Sequence, residues 1–114
     1  MAEKILVVDD EPLIQTTIRR ALERRGYDVR TTGDAESFLA ELEREGANLL
    51  IMDVNLGGIS SETLMDRVHA LAPGVKVLFI SGVMPKLEVD HFLEKPFLLD
   101  DLRRMVREIL DGRI

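Results

Sequence analysis

The chain has 114 residues, 46% of them hydrophobic and 32% charged, which suits one globular domain around one core and leaves no room for a second. It contains no cysteine, so a disulfide framework, a thiol nucleophile and thiolate metal sites are excluded, and oxygen ligands with hard cations remain. A formal net charge of −6 disfavours direct contact with nucleic acid.

The one basic group, Arg103, Arg104 and Arg107, is interleaved with Asp100, Asp101 and Glu108 and reads as a solvated helix face. Met1-Ala2-Glu3-Lys4 leads into a short apolar run without a signal-peptide pattern, and no apolar run is long enough to cross a bilayer, so a cytoplasmic location is expected.

Lys4-Ile5-Leu6-Val7-Val8 reads as a first strand, closed by Asp9-Asp10-Glu11. Pro12 suits the first turn of a helix; Leu13, Ile14, Thr17, Ile18, Ala21 and Leu22 follow at helical spacing, and Gly26 stops it. Tyr27 to Thr31 predicts a short second strand near a sheet edge. Asp34 caps a second helix with inner face Ala35, Phe38, Leu39 and Leu42, ending before Gly46.

The stretch Asn48 to Leu56 organises the rest. Leu49-Leu50-Ile51-Met52 is apolar on both faces, as a central parallel strand under helices requires, and it ends in Asp53. Ligands gather at the carboxyl ends of strands in open parallel sheets, so this carboxylate stands where chemistry is expected. After the loop Val54 to Gly58, Ser60 or Ser61 caps a third helix carrying Leu64, Met65, Val68 and Leu71, which Ala72-Pro73-Gly74 breaks.

Val75 to Ile80 predicts a fourth strand ending in Ser81-Gly82, and His91 to Glu94 a short fifth strand followed by Lys95-Pro96. Leu98 to Leu110 closes the chain as a helix, with Leu102, Met105, Val106, Ile109 and Leu110 inward. Strands alternating with helices imply an α/β fold with a parallel sheet of five strands.

That topology brings Asp9, Asp10, Asp53, Ser81 and Lys95 to one rim of the sheet. Clustered carboxylates repel and take up protons unless a cation neutralises them, which predicts a hard divalent metal, Mg²⁺ being the usual occupant. A carboxylate nucleophile with a metal, an ammonium and a hydroxyl around it is an apparatus for phosphoryl transfer.

Val7-Val8-Asp9-Asp10-Glu11-Pro12, Ile51-Met52-Asp53, Ile80-Ser81-Gly82 and Leu93-Glu94-Lys95-Pro96-Phe97 together resemble the receiver domain of two-component response regulators. The resemblance implies a flavodoxin-like three-layer fold with strand order 2-1-3-4-5 and a phosphoacceptor at Asp53. It implies Mg²⁺ held by Asp10, Asp53 and the backbone carbonyl of Asn55, with Asp9 acting through water. Lys95 would pair with the phosphoryl group, Ser81 would move toward it, and Phe92 matches the aromatic switch position. Asn55 and Val83, two past Asp53 and Ser81, would border the path of the attacking water. A cis peptide before Pro96 is usual in the family.

Gly57 stands where the family commonly has proline, and Ser61 where it has glycine. Ser81 and Lys95 are also closer in sequence than usual. Only Gly82 to Asp90 are left for the crossover between the fourth and fifth strands, which normally takes a dozen or more residues. The helix of that crossover is therefore expected to be shortened or absent, with Val83, Met84, Leu87 and Val89 covering the sheet face. His69 and His91 read as surface or boundary residues, and Met52, Met65, Met84 and Met105 as core fillers.

The expected function is a phosphorylatable switch of a two-component system or phosphorelay. It would take phosphate from a sensor histidine kinase or a histidine phosphotransfer protein and lose it by self-catalysed dephosphorylation. Alternatives are a degenerate receiver serving as a phosphorylation-independent interaction module, or an aspartyl-phosphate phosphatase. The latter normally shows Asp-x-Asp after its first strand, where this chain has Asp9-Asp10-Glu11. The chain is expected as a monomer or a dimer of non-standard geometry, with no membrane contact in this segment.

Overall fold

The computed structural model describes residues 2–83 and 89–114. Its strands are β1 (Lys4–Val8), β2 (Asp28–Thr32), β3 (Leu49–Asp53), β4 (Lys76–Ser81) and β5 (Phe92–Glu94), and its helices are α1 (Pro12–Glu23), α2 (Ala35–Glu45), α3 (Ser61–Leu71) and α4 (Leu99–Leu110). The strands form one parallel sheet in the order β2-β1-β3-β4-β5. This is the flavodoxin-like order, and β2 is an edge strand.

Period-2 alternation along the buried strands sends their side chains into two separate cores. Ile5, Val7, Leu49, Ile51, Leu78 and Ile80 pack on one face with Ile18, Leu22, Leu102, Val106 and Ile109 from α1 and α4. Leu6, Val8, Leu50, Met52 and Phe79 pack on the other with Phe38 and Leu42 of α2 and Leu64 and Val68 of α3. All five residues of β3 are buried, as its uninterrupted apolar run requires. Each fully buried branched side chain stabilises the fold by about 1.5–3 kcal/mol, which anchors the central strand and the rim residue it carries.

Helix starts follow local chemistry. Pro12 occupies the first turn of α1; Asp34 accepts the Ser37 N–H at 2.7 Å and caps α2. Of the two serines before α3, Ser60 is the cap and accepts the Thr63 N–H, while Ser61 turns back to donate to the Val54 carbonyl. Gly46 closes α2 with φ of 69°, a conformation that costs a Cβ-bearing residue energy.

At the end of the sheet away from the acids, Arg107 of α4 bonds Glu3, Asp111 and the Tyr27 hydroxyl, and its guanidinium stands 5.8 Å from the Tyr27 ring centre. Arg103 and Arg104 likewise pair with Asp100 and Asp101. The arginines of α4 thus meet carboxylates, as the interleaved sequence suggested.

Four helices are present among the described residues. The expectation of a shortened or absent crossover helix falls mainly on residues 84–88, Met84 and Leu87 among them, which lie outside the described residues. At the flanks, Val89 packs against the core beneath α2 and α3. Val83 is 56% exposed and does not cover the sheet as expected: it lies beyond the end of β4 at Ser81, with its N–H turned back to Ser81 Oγ.

Candidate functional site

Parallel register assembles the site. Val8 lies beside Met52, so Asp9 and Asp53 leave neighbouring strands at the same level. Asp53 pairs with Ile80, which sets Ser81 one step further along β4, and Ser81 pairs with Glu94, the residue before Lys95. The Lys95 N–H then donates to the Ser81 carbonyl at 2.8 Å, fixing the start of the loop that presents the lysine, and the Lys95–Pro96 peptide is cis.

Four carboxylates, of Asp9, Asp10, Glu11 and Asp53, each bring an oxygen within 4.8 Å of the others. Asp9 and Asp53 are buried; Asp10 and Glu11 are exposed. One ammonium answers them. Lys95 Nζ stands 2.8 Å from Asp9 Oδ2, 3.0 Å from Glu11 Oε1 and 3.5 Å from Asp53 Oδ2.

Burial pushes the Asp9 carboxyl above its ordinary range; hydrogen bonds from Lys95 and the Glu11 N–H pull against that, and the Asp53 charge adds to it. Burial alone would lower the lysine, but its bonds to Asp9 and Glu11 outweigh that and hold it firmly protonated. Four acids against one lysine leave a surplus of negative charge in a set of oxygen donors. Such a site suits a hard divalent cation. Asp10 makes no hydrogen bond or ion pair among the described residues, so its carboxylate is free for one.

The backbone N–H of Asn55 donates to Asp53 Oδ1 at 3.0 Å, and its side-chain Nδ2 donates to Ser81 Oγ at 3.1 Å. Ser81 is fully buried and also accepts from the Val83 N–H. Phe92 is half-buried at the start of β5 and packs against the core beneath α2 and α3. His69 is exposed and His91 half-buried, both away from the acids.

Comparison with known proteins places this geometry. The family profile described as "Response regulator receiver domain" matches residues 5–107. The chain belongs to that family. The nitrogen assimilation regulatory protein NtrX of Azorhizobium caulinodans is 38% identical over 90% of this chain. This chain spans a quarter to about half the length of the first relatives it matches, 25% in the case of NtrX.

Among solved structures, a CheY-like receiver domain protein of Methanospirillum hungatei superposes with a TM-score of 0.91 at 29% identity, covering 98% of this chain and 96% of that one. The receiver domain of the hybrid histidine kinase CckA gives a TM-score of 0.83 at 33% identity, covering 94% and 98%. Receiver domains generally bind Mg²⁺ at an acidic pocket, and this receiver domain carries such a pocket.

The structure brings Asp9, Asp10, Asp53, Asn55, Ser81 and Lys95 to one rim, with Phe92 on the neighbouring strand. Two features were missed in the sequence. Glu11, part of the acid stop of β1 in the sequence, shares the ammonium of Lys95 with Asp9; its place directly after two acids is the signal. For Asn55 the resemblance implies a backbone carbonyl ligand and a place beside the path of the attacking water, whereas its side chain bonds Ser81 across 26 positions of sequence, which no local pattern discloses.

Proposed function

We propose that the chain, residues 1–114, is a single receiver domain of a two-component system or phosphorelay, accepting a phosphoryl group on Asp53 from a phosphohistidine. The donor would be a sensor histidine kinase or a histidine phosphotransfer protein. The observation that carries the reading is the setting of Asp53. It is a buried carboxylate at the end of the central strand, with Oδ1 held by the Asn55 N–H and Oδ2 turned toward Lys95.

Asp53 Oδ2 is then the attacking oxygen. A P–O bond forms as the donor P–N bond breaks, and the donor nitrogen takes up a proton on leaving. Lys95 supplies a fixed positive charge beside the phosphoryl oxygens. The Ser81 hydroxyl lies at the next strand end as a hydrogen-bond donor for one of them, and its engagement together with Phe92 would carry the change to the β4–β5 surface. Attack by water on phosphorus returns Asp53 to a carboxylate and releases inorganic phosphate.

Asp10, Asp53 and the Asn55 carbonyl would hold Mg²⁺, with Asp9 acting through water. The ion would supply charge neutralisation for the phosphoryl oxygens. The acidic surface disfavours nucleic acid as a direct partner, and among the described residues no helix is long and apolar enough to cross a membrane.

The test is intact mass after incubation with Mg²⁺ and acetyl phosphate. One phosphate is expected on the chain and none on Asp53→Asn. An asparagine variant that gains phosphate at the same rate removes Asp53 as nucleophile. Sustained turnover of many donor molecules indicates a phosphatase, and no gain under any condition indicates an interaction module.

A further inference from the structure

Ser81 carries a hydroxyl with one hydrogen to donate and two lone pairs to accept. It is fully buried, and both donors that reach it are nitrogen: Asn55 Nδ2 at 3.1 Å and the Val83 N–H at 3.1 Å. With both lone pairs occupied, the hydroxyl hydrogen is directed away from both nitrogens, and no acceptor takes it among the described residues. A hydroxyl fixed in this way is committed to donating. The main chain that carries this amide is anchored in turn, because the Asn55 backbone N–H is bonded to Asp53 Oδ1 at 3.0 Å.

We infer that Asn55 is a positioning residue that acts through Ser81: its side-chain amide holds the Ser81 hydroxyl as a donor for the phosphoryl group that Asp53 would carry. The inference rests on the phosphoacceptor reading of Asp53 and deepens it by assigning a role to this side chain. Asn55 also joins the two ends of the event. Once Oδ2 is phosphorylated, Oδ1 becomes the neutral oxygen of an acyl group, and the Asn55 N–H exchanges a charge-assisted bond for a weaker one. The residue that registers the chemistry at Asp53 is thus the one that orients Ser81.

Two substitutions separate this role from a general effect on the loop. Asn55→Ala removes the donor and frees one lone pair of Ser81. Asn55→Asp presents only acceptor oxygens, so Ser81 would give its hydrogen to residue 55 instead of to the phosphoryl group. Neither touches the backbone carbonyl of Asn55.

The experiment measures affinity for beryllofluoride, a phosphoryl analogue, in saturating Mg²⁺, with and without Ser81→Ala. Asn55→Ala is expected to weaken binding about five- to tenfold when Ser81 is present, and Asn55→Asp at least as much. In the Ser81→Ala background, Asn55→Ala should change affinity by less than about twofold, because a residue that acts through another is silent once that one is gone. Equal losses in both backgrounds, or wild-type affinity in Asn55→Asp, overturn the inference.

A second readout needs no analogue. Three-bond couplings should report a single Ser81 χ1 rotamer in the unsubstituted chain and averaging in Asn55→Ala; an unchanged rotamer overturns the inference independently of any phosphoryl chemistry. Failure of the unsubstituted chain to bind beryllofluoride overturns the phosphoacceptor reading itself, a result distinct from either outcome at Asn55.

Discussion

Lys95 leans on Asp9, not on Asp53: its ammonium lies 2.8 Å from Asp9 Oδ2 and 3.5 Å from Asp53 Oδ2. Asp9 is wholly buried and the lysine side chain only 14% exposed, so the pair is screened little by solvent. Removing the lysine alone strands a buried carboxylate, which is costlier than removing both charges. Lys95→Met is expected to destabilise the chain by about 2 kcal/mol in urea unfolding, and adding Asp9→Asn should restore most of that loss. A double variant as unstable as the single one would show that the ion pair is not what Lys95 contributes.

The raised Asp9 carboxyl has a sign that can be measured. Its ordinary value is 3.8, and burial sets it higher in the folded chain. Between those two values the folded state binds more protons than the unfolded state, so this group's contribution to stability falls as pH rises through the window. Asp9→Asn has no such proton to lose. In metal-free buffer the stability of the unsubstituted chain relative to Asp9→Asn should therefore decline as pH rises above about 4. A difference that is flat, or that grows with pH, would contradict the assignment.

Much of this was legible from the residues. The strand runs and the convergence of Asp9, Asp10, Asp53, Ser81 and Lys95 follow from apolar patterning and the strand-end rule, because β1, β3 and β4 are buried on both faces and so read as apolar runs, whereas the strand order comes from the family resemblance. What stayed hidden depends on side-chain direction across the sheet. Nothing in a one-dimensional pattern says that Glu11, after turning out of β1, reaches a lysine 84 positions away, or that the Asn55 amide points to β4 instead of to solvent. The choice between Ser60 and Ser61 as cap also needed the backbone, since both are serine and residue type does not separate them.

Asp10 differs from its neighbour in having no partner to give up among the described residues. It is exposed, and its carboxylate enters no hydrogen bond, whereas Asp9 would have to release Lys95 before serving a cation directly. Titrating Mg²⁺ against the chain should therefore show Asp10→Asn and Asp53→Asn each weakening binding by about tenfold or more, with the smaller loss in Glu11→Gln, whose carboxylate already has the ammonium. Undiminished Mg²⁺ affinity in Asp10→Asn would take that residue out of the metal site.

The loop after Asp53 carries two adjacent glycines with opposite tolerance. Gly58 has φ of 84°, in the left-handed region, while Gly57 lies outside that region, and a Cβ built at either position meets no atom within 4 Å. Space is therefore not what separates them; backbone conformation is. Gly57→Ala should leave stability unchanged or raise it by about 0.4–1 kcal/mol, since it narrows the unfolded ensemble without strain in the folded one. Gly58→Ala should cost about 1–2 kcal/mol, the penalty for a side chain held at positive φ. With glycine at position 57 the loop is only lightly restrained just before the Ser60 cap of α3. Asp53 itself is anchored in β3, and the Asn55 N–H bond to its Oδ1 is made before the glycines are reached. The acetyl phosphate reaction of Gly57→Ala should accordingly proceed at the unsubstituted rate within about twofold, while urea unfolding separates the two alanine variants by about 1–3 kcal/mol. Equal stabilities would mean that residue 58 does not hold the left-handed conformation in solution.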